Sequence, residues 1–386
     1  MAKCYQKEVI PGMKKPIIFS FFSGSGFLDL GFERSNFDIK FVNDCHLPFL
    51  EAYKYSRAQM GINPPEYGYS SSSIEVFLEG KNKAYLKRLV EDAKSASRLV
   101  GFVGGPPCPD FSIGGKNKGR NGENGNLTKI YIDTIINNNP DFFVFENVKG
   151  LWRTKIHREF YEELKQKLVE TDYITTERLT NCIEFGVPQD RDRIIMFGIK
   201  KSLVSNFIKE ISLDVAFNWE KHIKYRREKV LDKLLWPSVE RYQEGSYKPI
   251  PDNLNGLHKL TVQHWFEKNN VEQHPNTNHH FKPRAGLIKF QTIAEGDDSK
   301  KSYKRLHRWR YSPTAAYGNN EVHLHPYKSR RLSVAEALAI QSLPQEFSLP
   351  GNMSLSNMFK TVGNGVPYLA ALGIANTVND FLSRIE

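Results

Sequence analysis

"PIIFSFFSGSGFLDLGFE", Pro16 to Glu33, is an apolar run, a glycine turn and an amphipathic stretch in immediate succession. That order opens a βα unit: a buried strand, a tight turn, and a helix whose first amides face whatever lies beyond the strand. Gly24 and Gly26 allow a ligand close to the backbone there, although a glycine turn in an α/β fold is often no more than a turn. The dinucleotide fingerprint G-x-G-x-x-G needs glycine at position 29, where this chain has Asp29. A pyrophosphate cradle, and with it a nicotinamide oxidoreductase of the same fold, is disfavoured.

Asp44 closes the next apolar run, "IKFVND", 20 residues after Gly24. A carboxylate at a strand end can accept from both hydroxyls of a ribose; a helix cap or a solvated charge is the plainer alternative. Glycine turn and carboxylate together point to an adenosine ligand without a diphosphate bridge, and S-adenosylmethionine fits that description.

Further along, "RLVGFV", "DFFVFENV" and "RIIMFGI" read as buried strands, with helical patterns between them such as Phe160, Leu164 and Leu168 in "REFYEELKQKLVE". The alternation predicts a doubly wound α/β sheet. From about Lys200 to Arg310 the periodicity fades into mixed aromatic, basic and histidine residues with turns such as "KPIPDN". The expected organisation is a catalytic and cofactor domain over 1–200, a smaller and less regular domain with its flanking helix over 201–345, and a return segment over 346–386. Ser333 and Glu336 form a capping box before a helix that Pro344 ends, and Pro367 suits the first turn of a last helix.

Charge is unevenly placed. The chain has 386 residues with 54 Lys and Arg against 43 Asp and Glu, a net +11. Lys200 to Arg310 alone holds 22 basic and 13 acidic residues, so +9 of the excess lies there, with seven of the eleven histidines. Such a stretch fits a polyanionic partner or a solvated basic surface. No apolar run approaches the roughly 18–20 residues of a membrane span, and "PIIFSFF" is too short for a signal peptide, so the expected compartment is the cytoplasm. Cys4, Cys45, Cys108 and Cys182 are far apart, which indicates neither a zinc site nor a disulfide framework, and no metal is expected.

Cys108 sits in "GGPPCPDFS" between Pro107 and Pro109, a stiff, extended frame that packing alone rarely needs. A thiolate nucleophile needs positive charge or a helix terminus nearby. "ENV", Glu146 to Val148, ends a strand at the edge where ligands bind, and "QDRDRIIMFG" places Arg191 and Arg193 at alternate positions, leaving one face of a strand. Singly these are a buried thiol, a loop carboxylate and a surface ion pair; together they form a reactive set beside a nucleoside pocket.

The stretches "FSGSGFLDLGFE", "GGPPCPDFS", "FENV", "GVPQDRDRIIMFG", "RRLSVAEALAIQSLP" and "VGNGVPYLAALGIA" together resemble a cytosine-5 DNA methyltransferase of the bacterial restriction-modification type, in order and in rough spacing. The resemblance spans about residues 17–200 and 311–376. It implies the S-adenosylmethionine-dependent methyltransferase fold with a target recognition domain, and sequence-specific methylation at carbon 5 of a flipped cytosine. Cys108 would add to carbon 6, Glu146 would serve the ring nitrogen, and Arg193 and Arg191 would hold the ring carbonyl or the cysteine loop. It implies cofactor contacts from Phe22, Gly24, Gly26, Asp44, Ser73, Ile74, Pro107, Leu127, Asn364 and Val366, with S-adenosylhomocysteine as product. Thr314 matches a threonine near the target base. Departures are Ser20 where aspartate is usual, Phe27 where a second glycine is common, Pro109 where glutamine is frequent, and Ser73 where an aspartate binds the adenine amino group.

"SIGGKNKGRNGENGN", Ser112 to Asn126, reads as a mobile loop closing over DNA, with Lys116, Lys118 and Arg120 on phosphates; a plain surface loop is the competing reading. Arg305, Arg308, His279 and Gln263 are candidate base readers, although a phosphate or structural contact is the more expected role for each. The expected partner is double-stranded DNA, with a cognate restriction endonuclease acting separately and the protein a monomer in a bacterial or phage-infected cell. An RNA cytosine-5 methyltransferase and a non-catalytic DNA-binding homologue are the alternatives.

Overall fold

Every residue of β1 (Ile17–Phe21) is buried, as expected of a strand covered on both faces. The computed structural model describes residues 14–96, 98–107, 123–205, 212–254, 256–283, 287–300, 302–315, 317 and 322–385. Around β1 are β2 (Asp38–Asn43), β3 (Tyr69–Ser70), β4 (Val100–Gly104), β5 (Phe142–Val148), β6 (Tyr173–Asn181) and β7 (Asp192–Lys200), in the order β3-β2-β1-β4-β5-β7-β6. β7 pairs antiparallel with both β5 and β6, while the other pairs are parallel. The reversal has a functional consequence: the N-terminal end of β7 lies at the edge where β1, β4 and β5 end.

Alternate residues divide the sheet into two faces. Ile17, Phe19, Phe21, Phe102, Phe143 and Phe145 pack with Leu86 and Val90 of α3 (Gly80–Ser95), Ile130 and Tyr131 of α4 (Glu123–Asn138), and Phe160 and Leu164 of α5 (Lys155–Val169). On the opposite face Ile18, Val103, Phe142 and Phe197 meet Phe32 of α1 (Phe27–Glu33), Leu50 of α2 (Leu47–Gln59) and Ala371, Ile374 and Val378 of the last helix, Tyr368–Leu382. The end of the chain thus completes a core begun by its start. Pro367 is the N-cap residue of that helix, and the Ser333–Glu336 capping box stands at the start of Val334–Ile340.

The middle of the chain has little regular structure: short helical turns, the helix Val262–Lys268, and a two-stranded pairing of Lys304–Arg305 with His323–Leu324. Small apolar clusters hold it, one of them Ile183, Val230, Trp236, Leu254 and Leu260. Helix Val334–Ile340 serves two neighbours. Val334, Ala337 and Leu338 pack with Phe27 and Leu30, and Ala335, Ala339 and Ile340 with Val262, Trp265 and Phe266. Among the described residues no helix is long and apolar enough to cross a membrane.

Candidate active site

The site is assembled at the edge where β1, β2, β4 and β5 end. In doubly wound sheets the crevice opens where the strand order reverses, here between β1 and β4. Phe22 follows β1 at φ +53°, Gly24 is at φ +55°, and Gly26, the N-cap of α1, is at φ +80°. At Gly26 a side chain is barred twice, by the left-handed backbone and by Tyr53 and Arg57, whose atoms would lie 2.5 and 2.7 Å from a Cβ. A Cβ on Gly24 would meet nothing within 4 Å among the described residues, which leaves the turn open on the side a ligand would take.

The Asp44 carboxylate ties this turn to the end of β2. One oxygen accepts from Gly24 N and the other from His46 N, each at 2.8 Å. Each oxygen keeps a further lone pair, so the group suits two hydroxyl donors. Burial pushes its pKa up, opposed by those amides, by the His46 charge and by Lys360. Ser23 Oγ and His46 Nδ1 are buried beside it without a hydrogen-bond partner among the described residues. Phe22 stands edge-on to Tyr131, with ring centroids 6.0 Å apart, and packs with Leu127 against the cluster that contains buried Ile74. Ser73 is the N-cap residue of the turn Ile74–Leu78, and Asn43 braces the preceding loop by donating to Ser70 O and Ser72 O. An apolar slot, a carboxylate with spare acceptors and unpartnered polar atoms fit an adenosine-bearing group.

The return segment closes this side. Thr361 Oγ1 and Ser25 Oγ are 2.7 Å apart, and a Cβ on Gly365 would run into the Phe27 ring. Asn364, exposed at the end of helix Leu355–Asn364, and buried Val366 flank that contact.

Ser20 and Asp29 explain each other. Ser20 Oγ donates to Asp29 Oδ1 at 2.8 Å, and Asp29 is 1 % exposed, so the residue that breaks the dinucleotide fingerprint points inward, away from the ligand side. Its pKa is raised to about 6 by burial, against the opposing charge of Arg57. Helix α1 thus supplies a carboxylate next to the strand position where the resemblance leads one to expect aspartate.

The second half of the site is Glu146. It is 8 % exposed, on the face of β5 that turns toward the cysteine segment, and Arg193 Nε lies 2.8 Å from its Oε1. A Cβ at Gly105 would come within 2.5 Å of Glu146 Oε2, so the carboxylate rests directly on the backbone that leads to Cys108. Asn147 Nδ2 donates to Pro106 O at 3.4 Å, a second tie to the same backbone. Pro107 is half-buried at the end of this segment; Cys108, Lys116, Lys118 and Arg120 lie outside the described residues. Glu123–Asn126, expected in the mobile loop, instead form the first turn of α4. Burial raises the Glu146 pKa, and Arg193 and then Arg191 oppose it.

Three arginines expected at the ligand or the DNA are buried within the protein. Arg191 has no exposed surface: Nη1 donates to Ala315 O at 2.9 Å, and Nη2 to Gly363 O at 2.8 Å and Gly365 O at 3.1 Å. It straps together three segments of the site. Arg305, also 0 % exposed, donates to Ile293 O, His325 O and Phe290 O and lies over the Tyr242 ring at 3.8 Å. Arg308, 2 % exposed, grips Glu295 with Nε at 2.8 Å and Nη2 at 3.0 Å, and Ser246 with its other donors. Both guanidinium groups are turned into the protein. Irregular backbone leaves carbonyls unpaired, and buried guanidinium groups satisfy several at once.

Of the other candidate readers, half-buried Gln263 bonds Glu267 and Tyr327, and His279 contacts Gly351 O. Thr314 is exposed, and its hydroxyl donates to Asp190 O at 2.6 Å, which places it beside the arginine loop. Sequence reasoning did not single out Asp192, which bonds Lys149, Asn181 and Arg227 at the mouth of β7. Its position between the two arginines of "RDR" was the available signal.

Comparisons agree with this geometry. The family model for C-5 cytosine-specific DNA methylase matches residues 17–379. The chain is 59 % identical over 371 residues to the type II methyltransferase M.NmeDI of Neisseria meningitidis serogroup C, covering 96 % of this chain and 85 % of that protein. It is 27 % identical to M.FnuDI of Fusobacterium nucleatum, covering 96 % of both. Among solved structures, the S. pombe Dnmt2 methyltransferase matches with TM-score 0.57 at 13 % identity, over 97 % of this chain and 100 % of that one. The Entamoeba histolytica methyltransferase EhMeth matches with TM-score 0.59 at 14 % identity, over 96 % and 99 %. The fold is that of the S-adenosylmethionine-dependent methyltransferases. The chain belongs to the C-5 cytosine-specific DNA methylase family and is an enzyme of that class, a DNA (cytosine-5)-methyltransferase. The nicotinamide reading falls with that.

Proposed function

We propose that the protein methylates carbon 5 of a cytosine flipped out of duplex DNA, through a covalent bond from Cys108 to carbon 6. The observation that carries this reading is the Glu146 carboxylate, paired with Arg193 and seated on Gly105, three residues before Cys108. Carbon 5 of cytosine is a weak nucleophile because its electrons belong to the ring. Addition of the Cys108 thiolate to carbon 6 removes that aromaticity and makes carbon 5 enamine-like. Glu146, its pKa raised by burial, holds a proton at the ring nitrogen so that charge does not build up there. Loss of the carbon 5 proton to a base and departure of Cys108 restore the ring.

S-adenosylmethionine, when bound, supplies the electrophilic methyl. Asp44 would take the ribose hydroxyls, Phe22, Ile74 and Leu127 would line the adenine, and Gly24, Gly26, Asn364 and Val366 would present backbone and amide groups; Ser73 and Pro107 border the same slot. No group of three or more metal-ligating side chains occurs among the described residues. The base must leave the stack to reach this edge, so the substrate is duplex DNA held by the basic middle segment and by Lys116, Lys118 and Arg120. The irregular part, over 201–345, is read as the target recognition domain, between a catalytic part over 1–200 and the return segment over 346–386. The relatives are type II methyltransferases, which supports a methylase acting beside a restriction endonuclease; the protein is read as a cytoplasmic monomer.

Duplex DNA carrying 5-fluorocytosine at the target position tests the covalent step, because fluorine cannot leave as a proton does. A denaturation-resistant complex that requires Cys108 is expected. Its absence, with methylation of ordinary DNA intact, would rule out the adduct.

A further inference from the structure

Behind the glycine turn lies a buried cluster that the chemistry above does not use. Arg57, in the last turn of α2, is 2 % exposed, and its Nη2 donates to Gly26 O at 2.6 Å. Its Nε lies 2.9 Å from Glu33 Oε2, and its guanidinium stacks over Tyr53, 4.3 Å from the ring centroid. Burial works against its charge, but Tyr53, Glu33 and Asp29 outweigh that and push its pKa up.

The accepting atom is informative. Gly26 O is also the first acceptor of α1, bonded by Leu30 N at 3.0 Å. A charged donor on that carbonyl fixes where the helix starts and therefore how the amides of the Gly24–Gly26 turn are aimed. The turn is then held at three successive residues: Gly24 N by Asp44, Ser25 by Thr361, and Gly26 O by Arg57. The first two holds come from groups at the ligand edge; the third comes from the interior and touches no ligand.

We infer that Arg57 is a positioning residue for the cofactor, presetting the glycine turn through the Gly26 carbonyl with Glu33 as its anchor. This rests on the reading of that turn as the S-adenosylmethionine site. Lysine at position 57 keeps the charge but cannot fork between Glu33 and a carbonyl.

The test uses the intact chain with S-adenosylhomocysteine titrated by calorimetry and S-adenosylmethionine varied in steady-state assays at saturating DNA. For Arg57→Lys the cofactor Kd and KM should rise about tenfold, the effect of one hydrogen bond from a charged group, while kcat and the KM for DNA stay within about twofold. A lowered kcat with unchanged cofactor KM would mean a merely structural role and overturn the inference, as would an unchanged Kd. Should Arg57→Lys fail to fold, Glu33→Gln, which keeps the shape of the anchor, should shift Kd in the same direction; no shift would overturn it equally. Asp44→Ala is measured alongside. A wild-type chain that does not bind S-adenosylhomocysteine, or an Asp44→Ala chain that binds it unchanged, would sink the cofactor-site reading itself, whereas loss at Asp44 without loss at Arg57 rejects only the role of Arg57.

Discussion

Arg193 Nε stands 2.8 Å from Glu146 Oε1 across the antiparallel pair of β5 and β7. Glu146 is opposite Ile195, so Arg193 is its diagonal neighbour on the same face, within reach of a long side chain. Only a reversed β7 brings an arginine from a strand's beginning to the edge where β5 ends. The pair keeps a buried carboxyl in place against the backbone of the cysteine segment.

Glu146→Gln removes the proton donor and preserves the shape. Its kcat should fall by about 10²–10⁴-fold, with DNA affinity little changed. Single-turnover methylation at saturating cofactor checks this; a rate near wild type would remove Glu146 from the chemistry.

Arg193→Met leaves Glu146 buried without its closest charge partner. Glu146 has a folded pKa above its unfolded value, so its contribution favours the folded state at low pH and is lost as pH rises through the folded pKa. Removing Arg193 raises that pKa further. The variant should therefore be less stable than wild type by up to about 3–5 kcal/mol at pH 8, with the deficit shrinking toward pH 5. Denaturant melts at the two pH values test it, and a pH-independent deficit would contradict it.

Arg308→Met breaks a buried ion pair and leaves Glu295 with only the more distant Lys248 as a cationic partner, so it should cost about 3–5 kcal/mol of stability. Sequence preference in DNA methylation should be unchanged in the protein that remains folded. A relaxed recognition sequence with normal stability would restore Arg308 as a base reader.

These arginines mark where sequence reading stops. Apolar runs announced β1, β2, β4, β5 and β7, because strands buried on both faces are nearly continuous in Val, Ile and Phe. β6, "YITTERLTN", lies at the sheet edge, and its mixture of Thr, Glu and Arg carries no such run. Asp44 and Glu146 were legible because strand ends have a known relation to the crevice. Arg191, Arg305 and Arg308 were not, since a charge in a sequence says nothing about whether it faces solvent or unpaired carbonyls. Arg57 was invisible for a related reason: its partner, Gly26 O, is a backbone atom 31 residues away.

Asp29→Asn tests the buried partner of Ser20. The Asp29 pKa rises from 3.8 to about 6 on folding, so folding favours the protonated form and stability from this group falls as pH climbs between those values. Above that window the penalty is about 3 kcal/mol at most. The neutral amide escapes it, and the variant should gain stability over wild type at pH 8 but not below pH 4. An equal difference at both pH values would mean that the Asp29 carboxyl has the same pKa folded and unfolded, and would contradict the upward shift on burial.

The most direct measurement is to incubate the purified chain with tritiated S-adenosylmethionine and, separately, duplex DNA, RNA or no nucleic acid, then map the methylated base by bisulfite sequencing. Label at carbon 5 of cytosine within one short DNA motif is the expected result. Label confined to RNA, or none on DNA despite cofactor binding, would contradict it.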